Sequence, residues 1–279
     1  MLRVPFSFFL MPVFWFALSF VNEINISHAI LLFIIIHLLV YPSSNGYNSY
    51  MDRDTGSIGG VEKPLQPTNQ LFVFTVIMDI MSILLALIIS PLTALLIFVY
   101  IVCSRLYSYR HIRIKQFAIP GYLLVILNQG GLIFFTVFSA VNKDNSAAIP
   151  WPGMTCATLL IGGFYPITQI YQHKDDAADQ VRTISMMLGK KGTFLFCAVV
   201  YLLAFLVLFL YYSSLNKTLS FWIVQLFFVP VLVYFVVWFL QVNKNEDNAD
   251  FRHTMRMNKL ASTLTNLAFI TLLILNQLD

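Results

Sequence analysis

The chain has 279 residues, of which 58% are hydrophobic and 11% charged, and its formal net charge is +4. Soluble domains carry about 25% charged residues, so this chain lacks the polar surface to coat a water-soluble globule, and its mean hydropathy of +0.77 agrees. A soluble globular protein is excluded, no nucleic-acid partner is expected, and the expected class is a single-domain, all-α integral membrane protein spanning residues 1–279.

A crossing helix needs roughly 20 predominantly apolar residues. The first such run covers residues 5–21; it has no small-residue cleavage site and reads as a span rather than a removable signal. The second covers 27–43 and runs directly into NGYNSYMDRDTG, residues 45–56. If the helix continues, Asn48 and Asp52 are four apart and share a face. Asn45 joins them one turn earlier, whereas Asp54 needs a loop to bring it back. Asn and Asp oxygens suit a hard cation such as magnesium, and the same residues also satisfy turns at a helix end in water.

Spans three and four, 70–88 and 91–107, are divided at Pro91, which breaks a helix. Asp79 lies inside the third span, where a charge is costly; it is either a hydrogen-bonded structural acid or a site group. The basic segment YSYRHIRIKQ comes next, at 107–116. Arg offers a planar fork for phosphate oxygens and Lys a point charge, so Arg110, Arg113 and Lys115 are candidates for phosphate binding as well as for a topology signal.

Spans five and six, 118–140 and 152–171, lead to YQHKDDAADQVRT at 171–183. Asp175 and Asp179 are four apart and Asp176 and Asp179 three apart. Like charges so placed on a helix repel, which fits either a solvated face or a bridging divalent cation. Lys174 and Arg182 flank them. The last spans are 193–213, 219–241 and 260–277, the final one preceded by the basic FRHTMRMNKLAS, which reads as an interface anchor. Cys103, Cys156 and Cys197 are far apart in or beside apolar stretches and read as small buried side chains.

With nine spans alternating sides, the N-terminus shares a face with the loops near 44–69, 105–117, 172–192 and 242–259. All 17 Lys and Arg except Lys143 and Lys217 fall on that face. By the positive-inside tendency it is cytoplasmic, with the C-terminus outside; an eight-span chain would scatter the asymmetry. The two acidic clusters and the basic one therefore meet at one face, below spans that are nearly free of charge. Acids to hold a divalent cation, cations to hold a diphosphate and an apolar bundle for a hydrocarbon tail together suit a lipid diphosphate.

These segments, in this order, resemble the UbiA-type membrane-embedded aromatic prenyltransferases over nearly the whole chain. NSYMD looks like the start of that family's first N-x-x-x-D motif. YSYRHIRIK is similar to the Y-S-x-P-P-x-R-x-K segment of the chlorophyll synthase and homogentisate prenyltransferase branch, with Arg110 and His111 in place of the two prolines. YPITQIYQHKDDAADQVRTISMMLGKKGT looks like the second acidic motif with its R-T…L-G…G-T stretch. The first motif usually continues with an Asp four residues on; here that place is Gly56, and Asp54 is the nearest acid. In the second motif internal spacing selects Asp175 and Asp179, while counting back from Thr183 selects Asp176, with Gln172 in the earlier position.

The resemblance implies magnesium-dependent transfer of an isoprenoid group from a prenyl diphosphate to a lipophilic acceptor at the cytoplasmic face of the cell membrane. Asn48, Asp52, Asp175, Asp176 and Asp179 would hold the metal, and Arg113, Lys115, Arg182 and Lys174 the diphosphate. Asp52, Arg113, Lys115 and Tyr107 would be catalytic, Tyr107 by shielding an allylic cation. A cyclase of the same fold, and a transporter or non-catalytic protein that kept it, are the competing expectations.

Overall fold

The structure is a computed structural model that describes residues 2–53, 56–144 and 148–278. Nine helices lie over the expected runs among these residues: α1 (Val4–Leu18), α2 (Ile26–Asp52), α3 (Asn69–Ile89), α4 (Pro91–Ser108), α5 (Ala118–Val141), α6 (Trp151–Gln169), α8 (Ile184–Ser214), α9 (Thr218–Lys244) and α10 (Phe251–Leu278), with the six-residue α7 (His173–Ala178) between α6 and α8. Seven of them are long and apolar enough to cross a membrane; the exceptions are α1, which is short, and α6. In lipid a helix satisfies its own backbone polar groups, which is why an apolar chain of this length resolves into helices.

The helix ends are set by local chemistry. Ser90 leaves α3 in an extended conformation and its side chain accepts from Thr93 N at 3.0 Å, starting α4 at Pro91. Gly189, at φ 70° and ψ 169°, interrupts α8 near its start. Two helices contain π-helical turns, Ile35–Val40 in α2 and Leu127–Leu132 in α5. In the second, Gly130 lets α5 touch α6: a Cβ there would lie 2.5 Å from Thr158 Cα.

The core is aromatic and aliphatic. Phe16 of α1 stacks on Phe269 of α10 at 4.3 Å between centroids, and Trp238 of α9 is fully buried with its indole N–H donated to Asn248 O at 2.8 Å. Large apolar side chains such as Leu84, Ile88, Leu202, Leu226 and Val233 stand exposed on the outer helix faces, as expected of a lipid-facing surface. The loop before α2 is held at the far end of the bundle from the acidic segments: Asn25 N donates to Val141 O at 2.8 Å and Gln277 Nε2 to Val21 O at 2.9 Å.

Asp79 is a structural acid. It forms an ion pair with Arg105 of α4, whose Nε donates to Asp79 Oδ2 at 2.9 Å. Ser43 Oγ of α2 lies 2.6 Å from Asp79 Oδ1, and Arg105 also reaches Ser43 Oγ at 3.2 Å and Thr75 Oγ1 at 3.3 Å. The guanidinium sits 3.9 Å above the Tyr47 ring. One charged pair thus joins α2, α3 and α4. Breaking a fully buried pair leaves an uncompensated charge and costs about 3–5 kcal/mol, an upper bound for this part-buried one, whereas replacing both partners with apolar groups is often neutral. Asp79→Ala is therefore expected to lose stability up to that bound in detergent unfolding, and Asp79→Leu with Arg105→Met to lie closer to wild type than either single change.

Candidate active site

The last turns of α2 carry the first acidic segment on one face, as the helical spacing requires. Asn48 Oδ1 accepts from Ser108 Oγ of α4 at 2.7 Å, and Asp52 is only 8% exposed at the helix end. Arg53 then leaves the helix in the left-handed region at φ 54°. Asp54 lies outside the described residues.

The basic segment after α4 closes over this end. Arg110 donates to the carbonyls of Met51, at 2.5 Å, and Asp52, at 3.1 Å. It caps the C-terminus of α2, where unpaired carbonyls and the helix dipole favour a cation. Arg113 is also left-handed, at φ 46°, and this turn directs its guanidinium inward. It pairs with the Asp179 carboxylate, donates to Asp179 O at 3.0 Å, and lies 3.6 Å from Asp52 Oδ1. Lys115 Nζ is 2.5 Å from the same Asp52 oxygen.

The second acidic segment forms α7 and the turn after it. Gln172 Nε2 donates to Ser57 O at 3.2 Å, binding this segment to the loop beyond Asp52. His173 Nε2 lies 2.8 Å from Ser185 Oγ at the start of α8. Burial, reinforced by Lys190, lowers the His173 pKa below its usual value.

A cavity of about 190 Å³ joins these groups. Asn48, Asp52, Lys115, Asp175, Asp176 and Asp179 line its polar end, and Tyr107, Tyr165, Leu124 and Val125 line its walls, with Asn128 and Gln129 of the α5 π-turn also contributing. Tyr107 and Tyr165 hydroxyls are 2.5 Å apart, and Gln169 Nε2 donates to the Tyr165 hydroxyl at 2.8 Å. Of the residues expected at the site, Arg113 stands behind the lining, in contact with Asp52 and Asp179. Lys174 and Arg182 are exposed and outside the lining. Sequence reasoning missed Tyr165 and Gln169. Their signal was a polar stripe, Tyr165, Thr168, Gln169 and Gln172, at helical spacing in the last turns of an apolar span.

Among the described residues no three His, Cys, Asp or Glu side chains form a ready metal cluster. The polar end nonetheless offers carboxylate and amide oxygens, the donor set of a hard divalent cation, and two of its acids are balanced by Arg113 and Lys115. Metal and diphosphate together could exchange with those ion pairs, the acids turning to the metal and the cations to the phosphates.

The profile of the UbiA prenyltransferase family matches residues 9–260. The chain belongs to the UbiA prenyltransferase family. Solved structures agree on the fold. The apo structure of a UbiA homolog from Aeropyrum pernix K1 superposes with a TM-score of 0.73 at 14% identity, covering 99% of both chains. A UbiA homolog from Archaeoglobus fulgidus bound to GPP and Mg2+ gives 0.71 at 16% identity over 98% of both chains. A digeranylgeranylglyceryl phosphate synthase gives 0.61 at 16% identity, covering 99% of this chain and 94% of that one. No curated protein matches. Within this UbiA member the Arg110 cap occupies a position where the resemblance led to proline.

A histidine that is neutral when folded but protonates more readily when unfolded makes stability rise with pH. The contribution of His173 is complete above its unfolded pKa of about 6.5 and is lost as pH falls below it. Melting temperature is expected to drop as pH is lowered from about 7.5 to 5.5, and His173→Gln to flatten that profile.

Proposed function

We propose that this UbiA member is an intramembrane prenyltransferase that moves an isoprenoid group from a prenyl diphosphate to a lipophilic aromatic or quinone-precursor acceptor, at the cytoplasmic face of the cell membrane. The observation that carries the reading is the meeting of Asp52 and Lys115 with the Asp175–Asp179 segment around a single cavity, with Arg113 pairing Asp52 and Asp179 behind its wall. The charge asymmetry of the loops supports the cytoplasmic assignment.

In this reading Asn48, Asp52, Asp175, Asp176 and Asp179 would hold Mg2+, which when bound neutralises phosphate charge and polarises the leaving group. The chain's own residues do the rest. Lys115 and Arg113 receive the diphosphate oxygens as the allylic C–O bond breaks and its electron pair leaves with the diphosphate; fixed charges aimed at developing charge are the largest usual source of rate enhancement. Lys174 and Arg182, both exposed, would act only as outer cations that draw the diphosphate in. Tyr107 and Tyr165 line the cavity wall, where aromatic rings would stabilise a cation, and Leu124 and Val125 help exclude water from it. A nucleophilic carbon of the acceptor then forms the new C–C bond and its proton passes to a carboxylate or to the departing diphosphate.

The decisive experiment is diphosphate release by purified protein given geranyl and longer prenyl diphosphates with and without Mg2+. Release is expected to require Mg2+ and acceptor, and to fall by at least about 100-fold in Asp52→Ala. Release without any acceptor would point to cyclisation. Absence of release from folded protein with every donor and acceptor would overturn the enzymatic reading.

A further inference from the structure

Residue 56 stands four positions beyond Asp52, the same step that separates Asn48 from Asp52, and it is glycine. Its backbone does not require glycine: positive φ is found at Gly60 and Gly189 but not at Gly56. The constraint is room. A Cβ on Gly56 would lie 2.9 Å from Asp175 Cγ and 3.2 Å from Oδ1, with Oδ2 closer still. The space that a side chain at 56 would need is filled by the Asp175 carboxylate.

That carboxylate differs from its neighbours. Asp52 is engaged by Lys115 and Arg113, and Asp179 by Arg113. Asp175 enters no ion pair among the described residues, although it lines the same cavity. The Gln172–Ser57 bond beside it holds the two segments against each other and keeps the exposed Asp175 side chain within reach of Gly56.

We propose that residue 56 and Asp175 constitute one carboxylate position: Asp175, from the second acidic segment, supplies over Gly56 the oxygen donor that the first segment does not carry. The proposal rests on the metal-assisted reading of the site. Two carboxylates cannot share this spot without strong mutual repulsion, so an acid at 56 is a loss while Asp175 is present and a replacement once Asp175 is gone.

The test is Mn2+ binding by the full chain in detergent with inorganic diphosphate present, monitored by electron paramagnetic resonance of free Mn2+. Removing even an outer partner of a metal ligand costs about 10–100-fold in affinity, so Asp175→Ala is expected to weaken binding about tenfold or more. Gly56→Ala, which adds only the Cβ, and Gly56→Asp are also expected to weaken it, because the flexible end of Asp175 is pushed aside. The double variant Gly56→Asp with Asp175→Ala is expected to return to within about threefold of wild type, the coupling that contacting residues show. Melting temperatures of all four variants should stay near wild type, since the contact is with a side-chain end. Wild-type affinity in Gly56→Ala, or a double variant no better than Asp175→Ala, overturns the proposal alone. A wild type that binds no Mn2+ with diphosphate overturns the metal reading along with it.

Discussion

A carboxylate taken out of water must be compensated, and around Asp52 that requirement organises the loops at this end of the bundle. Asp52 is buried at the end of α2, and the charges that balance it, Lys115 and Arg113, come from a segment about sixty residues away. Arg113 also holds Asp179, so the compensation of one acid brings in the second acidic segment. Removing both Lys115 and Arg113 would leave the Asp52 charge buried and unpaired, which costs more than the pairs contribute when intact. Three loops that are far apart in sequence are thereby obliged to meet.

Asp79 and Arg105 apply the same rule deeper in the bundle, with a different result. There the pair is closed by Ser43, Thr75 and the Tyr47 ring, and its hydrogen-bonding capacity is spent within the protein. Around Asp52 the charges border a cavity instead. The Asp79–Arg105 pair is closed on protein groups and the pairs around Asp52 border a cavity, which separates a fastener from a candidate site.

Much of this was legible in the sequence. Apolar runs and Pro91 located the helices, because a bilayer leaves the backbone few alternatives, and the four-residue step from Asn48 to Asp52 survived because α2 stays helical through both. The step from Asp175 to Asp179 did not survive in the same way. α7 ends at Ala178 and Gln180 turns left-handed at φ 57°, so Asp179 swings to Arg113 while Asp175 lies over Gly56. Helical spacing cannot describe a segment that stops being a helix halfway along. Arg110 was legible as a cation but not as a cap, since that role depends on where the end of α2 arrives. The outward placement of Lys174 and Arg182 depends on the same short turn.

The π-turn of α2 has a consequence for how that helix tolerates change in length. A π-turn accommodates one residue more than an α-helical turn over the same rise, and one residue corresponds to about 100° of rotation. The lipid-facing half of α2, with Ile26, Ile30 and Ile34 exposed, and the polar half, with Asn48 and Asp52 turned inward, are therefore set in phase by the turn at Ile35–Val40. Deleting one residue there would turn the π-turn into a regular α-turn and leave the acidic face toward Lys115, whereas a deletion in a regular turn of α2 would rotate that face by about 100°. The irregular turn acts as a phase setting between the part of the helix that answers to the membrane and the part that answers to the site.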